Sequence, residues 1–138
     1  MNCDNLAEIS VAQLMQAKGW QVQYRLIIQW GALITHKPEL RQEQYLIKGC
    51  ETSAWLSHSV QQGCHRFIFD SDSRVINGLA ALLLSLIDKK MTSELVQLEF
   101  KSIFLDAGLQ QYLSPSRSNG LRAIMRRACE LAECAYVI

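Results

Sequence analysis

Residues 53–87, SAWLSHSVQQGCHRFIFDSDSRVINGLAALLLSLI, contain the elements that decide the fold. Residues 53–60 and 66–69 each have the short apolar composition of a β-strand, and residues 61–63 between them, Gln-Gln-Gly, have that of a turn. This order predicts a β-hairpin. The apolar residues that follow recur at helical spacing and predict a buried helix: Val75, Ile76, Leu79, Leu82, Leu83, Leu86 and Ile87.

Two helices are predicted before the hairpin. The first covers residues 4–18 and has Asp4 as a possible N-cap. The second begins near Trp20, and five of its residues fall on one face that we expect to lie in the core: Trp20, Tyr24, Ile27, Ile28 and Gly31.

Four helices are predicted after the hairpin. The first is the apolar helix just described, with an N-cap at Ser71, Asp72 or Ser73. The others are a short helix capped by Thr92 or Ser93, one within residues 103–113, and one over about residues 121–135, opened by residues 114–118. The order of helices, hairpin and helices predicts an α+β fold, with helices covering one side of a small antiparallel sheet. We expect a single domain over residues 1–138.

The composition excludes several classes of protein. Hydrophobic residues make up 49% of the 138 residues and charged residues 20%, which is typical of neither disordered nor fibrous chains. A formal net charge of +1 gives no general attraction to nucleic acid or to an anionic membrane. The N-terminal residues do not resemble a secretory signal, and the apolar run at residues 79–87 is far shorter than the ~20 residues of a membrane span. We therefore expect a cytoplasmic protein without nucleic-acid or membrane partners.

Cys50 is the strongest candidate for a functional residue. It follows Gly49, which permits a tight turn, and it lies where a long polar loop, residues 36–48, meets the first strand. This position predicts a sulfur that is presented to a partner rather than packed, and a reactive thiol usually has its pKa lowered by nearby cations or a helix N-terminus. A small buried cysteine without reactivity is the alternative that the residue pattern leaves open.

The remaining cysteines and the histidines offer weaker sites. The chain has five cysteines and no CxxC pair, which is typical of reduced thiols in a reducing compartment. The three histidines show no HxxxH or HExxH spacing, so we expect no metal site and no cofactor. Residues 70–72, Asp-Ser-Asp, are better explained as a turn and helix cap than as a metal-binding or phosphate-binding loop.

Arg117 occupies an electrostatically unfavourable position. It lies close to the start of the last predicted helix, where the helix dipole already places partial positive charge. A nearby anion would compensate for this, for example a thiolate or persulfide, or the carboxylates of Asp70 and Asp72. A solvated arginine paired with a surface acid is the other interpretation, and the pattern does not choose between them.

Four segments of the sequence resemble one known family. The segment around Cys50, IKGCETSAWL, is similar to the segment around the acceptor cysteine of SufE and CsdE proteins. FDSDSRVINGLAALL and LSPSRSNGL resemble two further motifs of these proteins, and the apolar face beginning at Trp20 resembles their N-terminal helix. The four segments occur in the order found in the family and together cover nearly the whole chain.

The resemblance implies a fold similar to that of the scaffold protein IscU and a role in sulfur transfer. Such proteins take persulfide sulfur from a pyridoxal-phosphate-dependent cysteine desulfurase, of SufS or CsdA type, and thereby stimulate it. They then pass the sulfur to iron–sulfur cluster assembly or another sulfur pathway. For this chain the resemblance implies that Cys50 is the persulfide acceptor and that Arg117 supports it from the same side of the fold. The protein would be a sulfur-transfer accessory protein rather than an enzyme.

Two other functions are compatible with the residues alone. One is a metal-binding scaffold for cluster assembly that uses Cys50, Cys64 and a histidine. The other is a thiol redox protein in which Cys64 resolves an oxidised Cys50 as a disulfide. A module that only binds another protein is a third possibility.

Overall fold

The computed structural model describes residues 4–98 and 113–132 of the chain. Within them lie five α-helices and two β-strands: α1 Val11–Gln16, α2 Trp20–Gly31, β1 Ala54–Gln61, β2 Cys64–Ser71, α3 Arg74–Ile87, α4 Thr92–Leu95 and α5 Pro115–Ala132. The predicted α+β fold is therefore confirmed. The helix predicted within residues 103–113 falls outside the described residues, apart from Leu113.

Strands β1 and β2 form the predicted hairpin as an antiparallel pair with unbroken register over all eight residues of each strand. The turn between them has positive φ at both central residues, 54° at Gln62 and 78° at Gly63. This is the turn geometry whose twist matches that of the flanking strands. Helix α3 packs against β2, α5 packs against β1, and the two helices contact each other.

Helix α3 forms the centre of the core, since ten of its 14 residues are buried. Its closest neighbour is α2, and the two helices cross where each has a glycine. A Cβ atom on Gly78 would overlap the carbonyl oxygen of Ile27, and one on Gly31 would overlap the carbonyl oxygen of Arg74. The two backbones therefore approach each other more closely than residues with side chains would allow.

The prediction that Asp4 caps the first helix is wrong. Helix α1 begins at Val11, and Ser10 is its N-cap. Asp4 instead accepts hydrogen bonds from the hydroxyl of Thr35 at 2.7 Å and from the buried amino group of Lys37 at 2.6 Å. A carboxylate that pairs with a buried ammonium group more than 30 residues away is engaged in a tertiary contact, which local capping rules cannot reveal.

The predicted apolar face of α2 lies only partly in the core. Ile27 and Gly31 are buried, and Tyr24 is half-buried, but Trp20 is 59% exposed. The reason is the position of the crossing, because α2 meets α3 near its own C-terminal end at Gly31 and its first turn extends beyond that contact.

The other helix starts agree with the predictions to different degrees. Ser73 is the N-cap of α3, as expected, and its hydroxyl accepts a hydrogen bond from the amide of Ile76 at 3.2 Å. Helix α4 is capped by Met91, one residue before the expected position. Helix α5 begins at Pro115, six residues earlier than predicted, which places Arg117 inside its first turn. No helix within residues 4–98 and 113–132 is both long enough and apolar enough to cross a membrane.

Candidate functional site

Cys50 lies in a short loop, residues 48–53, whose two ends are held together by backbone hydrogen bonds. The amide of Ile47 donates to the carbonyl of Ala54 at 2.8 Å, and the amide of Asp72 donates to the carbonyl of Ser53 at 3.2 Å. Gly49 has a φ of 91°, in the region that side chains rarely adopt, so the chain can turn sharply just before Cys50. We call residues 48–53 the Cys50 loop.

The chain segment that leads into the Cys50 loop is firmly attached to the hairpin. The guanidinium group of Arg41 donates to Asp70 at 3.0 Å and to Asp72 at 2.6 Å, and it lies over the ring of Trp55 at 4.6 Å. Asp70 is 2% exposed and also accepts from the amide of Lys37 at 2.8 Å. The two acids therefore fix the segment that precedes the loop, which is a role that the turn-and-cap interpretation did not include.

That segment is also more regular than its sequence indicates. The sequence pattern predicts a loop without periodic structure over residues 36–48, whereas the segment contains two 3-10 helices, Pro38–Leu40 and Glu43–Tyr45. Leu40, the last residue of the first of these helices, is fully buried. The turn next to Cys50 covers residues 48–49.

The sulfur of Cys50 is partly sheltered by α5. Cys50 is half-buried and packs against the hydrophobic core. A Cβ atom on Gly120 would lie 3.2 Å from the Cys50 Sγ and 3.2 Å from the Ile76 Cδ1, so Gly120 leaves just enough room for the sulfur. One turn further along α5, Ala123 lies near the loop as well, since a Cβ atom on Gly49 would be 3.7 Å from the Ala123 Cβ.

This shelter changes the chemistry expected of the thiol. Burial raises the pKa of Cys50, the neighbouring carboxylate of Glu51 raises it further, and a hydrogen bond from the Thr52 backbone partly opposes them. The expectation of a lowered pKa therefore does not hold for this conformation. With the loop in this position the raised pKa lowers the fraction of Cys50 present as thiolate, which is the nucleophilic form.

Alkylation of Cys50 is therefore expected to require a higher pH than alkylation of an exposed cysteine. Thiolate is the reacting form, and it is depleted until the pH exceeds the raised pKa of the buried thiol. The measurement is the rate of iodoacetamide modification of the Cys50 peptide against pH, with the chain in denaturant as the reference. The midpoint for the folded protein should lie above that of the denatured chain, and an equal or lower midpoint would contradict the sheltered thiol.

Arg117 lies in the first turn of α5 with its side chain toward Tyr24 of α2, and it does not pair with Asp70 or Asp72, the two acids suggested as its counter-ions by the sequence. Its guanidinium carbon is 5.8 Å from the centre of the Tyr24 ring. The preceding residue, Ser116, donates a hydrogen bond from its hydroxyl to the carboxylate of Glu51 at 2.8 Å. The first turn of α5 therefore meets the Cys50 loop directly. Asp70 and Asp72, the other possible counter-ions, are occupied by Arg41.

Three residues of this site were not singled out from the sequence, namely Glu51, Ser116 and Gly120. The signals that could have identified them were present in the motifs. Glu51 directly follows Cys50, and the other two flank the arginine in the segment SRSNG. Their contacts bring α5 onto a loop that is distant in sequence, 65 positions away in the case of Ser116 and Glu51, which the motifs do not describe.

The geometry opposes a Cys50–Cys64 disulfide. Cys64 pairs with Gln61 at the turn end of the hairpin, whereas Cys50 lies beyond Ala54 at the other end. The seven-residue rise from Ala54 to Gln61 corresponds to roughly 23 Å of strand. A disulfide needs Cα atoms within about 7 Å, so the redox interpretation would require the hairpin to be dismantled.

The histidines likewise do not gather around Cys50. His58 and His65 lie on the hairpin with their ring nitrogens 2.7 Å apart, and His65 also contacts the Thr92 hydroxyl at 2.7 Å. Within the part of the chain that the structure describes, no group of three His, Cys, Asp or Glu residues is arranged to hold a metal ion.

The fold and the site together define a class of protein, an α+β chain that keeps one cysteine on an anchored loop beneath a helix. A family model described as "SufE: Fe-S metabolism associated domain" matches residues 8–132. The chain belongs to the SufE family.

Individual relatives agree with this family. The chain is 32% identical over 119 residues to an uncharacterized SufE-like protein of Rhizobium meliloti (strain 1021), covering 83% of this chain and 85% of the relative. It is 36% identical over 107 residues to the sulfur acceptor protein CsdE of Escherichia coli (strain K12), covering 76% and 73%. The solution structure of a hypothetical protein from Thermus thermophilus shares the fold, with a TM-score of 0.73 at 15% identity over 96% of each chain.

Proposed function

We propose that this protein accepts sulfur as a persulfide on Cys50 and passes it to iron–sulfur cluster assembly or another sulfur-using pathway. The donor is a pyridoxal-phosphate-dependent cysteine desulfurase of SufS or CsdA type, and removal of its persulfide lets it turn over again. Membership in the SufE family and the similarity to a sulfur acceptor protein support this role. The observation that carries the proposal is the single thiol on a short, anchored loop beneath a helix.

The transfer is an exchange of one sulfur–sulfur bond for another. The Cys50 thiol first loses its proton, and the resulting thiolate attacks the outer sulfur of the donor persulfide. A bond forms between the Cys50 Sγ and that sulfur, the sulfur–sulfur bond of the donor breaks, and the donor cysteine leaves as a thiolate. The reaction has the mechanism of thiol–disulfide exchange and needs no external oxidant or reductant.

The sheltered position of the sulfur gives the loop two working conformations. In the conformation described here, the sulfur lies against Gly120 and is covered by α5 on that side. For transfer, the Cys50 loop turns away from α5 while its ends stay fixed to the hairpin. In the open conformation the burial that raises the thiol pKa is removed, so exposure and deprotonation of Cys50 favour each other.

The same two conformations explain how a carried sulfur would be protected. A persulfide is readily oxidised or reduced when exposed, because its outer sulfur reacts with thiols and oxidants. Returning the loop to α5 would place that sulfur among apolar groups. We propose an accessory protein that carries sulfur without catalysing its release, acting in the reducing conditions of the cytoplasm.

The direct test is mass spectrometry of the protein after incubation with a desulfurase, its pyridoxal cofactor and cysteine. A mass increase of one sulfur atom, mapped to the Cys50 peptide and removed by a reductant, is the expected result. Sulfur on other cysteines but not on Cys50 would contradict the proposal.

Replacing Arg117 by alanine is expected to slow persulfide formation on Cys50 by more than it lowers stability. The preceding residue, Ser116, contacts the Cys50 loop, and we propose that the Arg117 guanidinium group, which lies over Tyr24, adds positive charge on the side where a persulfide anion would arrive. Its stacking on Tyr24 contributes at most about 1 kcal/mol to folding. The measurement pairs the rate of persulfide formation with a denaturant unfolding curve of the same variant.

Arg25→Ala is the matched control for Arg117→Ala, because Arg25 is an exposed arginine on α2 and its loss changes the net charge equally. Transfer by the control should stay near the wild-type rate. If Arg117→Ala slows transfer no more than Arg25→Ala, Arg117 is a structural surface residue and Cys50 alone carries the site.

A further inference from the structure

The first turn of α5 is joined to the Cys50 loop by one side-chain hydrogen bond. The hydroxyl of Ser116 donates to the carboxylate of Glu51 at 2.8 Å, across 65 residues of sequence. Glu51 is the residue next to Cys50, so this bond acts one position away from the thiol. Ser116 lies on α5 and Glu51 lies in the Cys50 loop, and these two elements must separate when the loop opens.

The Ser116 hydroxyl can form this bond because Ser114, and not Ser116, caps the N-terminus of α5. The hydroxyl of Ser114 accepts the hydrogen bond from the Arg117 amide at 3.2 Å, and the Ser114 carbonyl accepts from the Ser118 amide at 3.0 Å. Ser114 therefore satisfies the start of the helix. The Ser116 hydroxyl can be removed without removing the cap.

The charge of Glu51 suits this position as well. A carboxylate at the N-terminal turn of a helix is stabilised by the unpaired amide groups and by the helix dipole. The bond from Ser116 therefore has a charged acceptor, Glu51, which the positive end of the α5 dipole also stabilises, and both side chains are accessible to water. Such an interaction is strong enough to bias a loop between two positions and weak enough to be broken by a docking partner.

The carboxylate also acts on the thiol itself. Burial is the main cause of the raised pKa of Cys50, and the negative charge on Glu51 adds to it. While the bond to Ser116 holds the loop in place, the thiol lies against Gly120 and its pKa is raised. Opening the loop would relieve both conditions at once.

We propose that Glu51 is a positioning residue whose hydrogen bond to Ser116 is a latch that holds the Cys50 loop against α5. Breaking the latch releases the loop and exposes the sulfur. The assignment rests on the proposed function for its biological meaning, since sulfur transfer is the reason for the loop to open. The existence of the latch can be tested without any sulfur donor.

The test is the rate at which iodoacetamide modifies Cys50 in the folded protein at one fixed pH. Ser116→Ala removes the latch but keeps the carboxylate, and it is expected to raise the rate about three- to tenfold, the range set by the net strength of one hydrogen bond. Glu51→Ala removes the latch and the charge, and should raise the rate at least as much. Glu130→Gln, which removes a carboxylate elsewhere on α5, is the control and should leave the rate unchanged.

The double variant, with both Ser116→Ala and Glu51→Ala, shows whether the two residues act through one shared hydrogen bond or affect the alkylation rate independently. If the Ser116 hydroxyl acts only through Glu51, then adding Ser116→Ala to Glu51→Ala changes the alkylation rate no further. A Ser116→Ala rate equal to wild type, or a double variant in which the two increases multiply, overturns the latch. Circular dichroism of each variant shows whether a faster rate comes from general unfolding.

Persulfide formation by the same variants tests the latch separately from the proposed function. A latch without a sulfur carrier would give faster alkylation of Ser116→Ala and no persulfide on Cys50 in any variant. A sulfur carrier without a latch would give persulfide on Cys50 and wild-type alkylation rates for both single variants.

Discussion

Replacing Cys50 by serine is expected to abolish both persulfide formation and stimulation of the desulfurase. Serine has nearly the same shape and would fit the space beside Gly120, but its hydroxyl cannot form a persulfide. The fold should stay intact, because Cys50 contributes only part of its surface to the core. The measurements are intact-protein mass spectrometry after incubation with desulfurase and cysteine, and the rate of sulfide or alanine release by the desulfurase.

Cys64→Ser is the matched control for this experiment. It makes the same change at the far end of the hairpin, where the side chain is also half-buried. This variant should keep wild-type transfer. If the Cys50→Ser protein still takes up sulfur at the wild-type rate, Cys50 is not the persulfide acceptor, whatever the result for Cys64→Ser.

Replacing Gly78 by alanine is expected to destabilise the protein by at least about 2 kcal/mol, because it forces an extra atom into a closed backbone contact. The new Cβ would overlap the carbonyl oxygen of Ile27, and neither backbone can move without disturbing the central helix. The sign of the change is informative. In an open helical position the same substitution would stabilise the helix by up to ~1 kcal/mol.

The stability is measured as the free energy of unfolding in urea. Gly31→Ala should behave similarly, since its Cβ would overlap the carbonyl of Arg74 at the same crossing. Ser85→Ala provides a control on the same helix, because the Ser85 hydroxyl bonds to the Leu82 carbonyl of its own turn. A Gly78→Ala variant as stable as Ser85→Ala would show that α2 and α3 are not in close backbone contact.

The elements predicted from the sequence are those encoded by local patterns. The hairpin followed from two apolar segments around Gly63, and α3 followed from an apolar run with a serine cap at Ser73. Both signals are contained in the segment that forms the element. The family motifs added the likeness to SufE proteins, which the family comparison confirmed.

The predictions that failed depended on contacts between distant segments. Aspartate is a residue type that often caps helices, but Asp4 forms an ion pair with Lys37 instead. Trp20 continues the apolar face of α2, but the crossing at Gly31 leaves it in solvent. The raised pKa of Cys50 has the same origin, because the helix that covers the sulfur is far away in the sequence. Hydrophobic periodicity cannot report where two elements cross.

The fixed ends of the Cys50 loop set a limit on how far its sulfur can reach. Cys50 is the third residue after Ile47, whose amide stays bonded to Ala54 beside the hairpin. Three extended residues span at most about 10 Å, so the sulfur can extend only about one nanometre beyond its anchor, plus the length of the side chain. A donor sulfur at the bottom of a deeper cleft would be out of range unless the rim of that cleft could accommodate the hairpin end itself. The length of this loop therefore determines the depth of the active sites that the protein can serve.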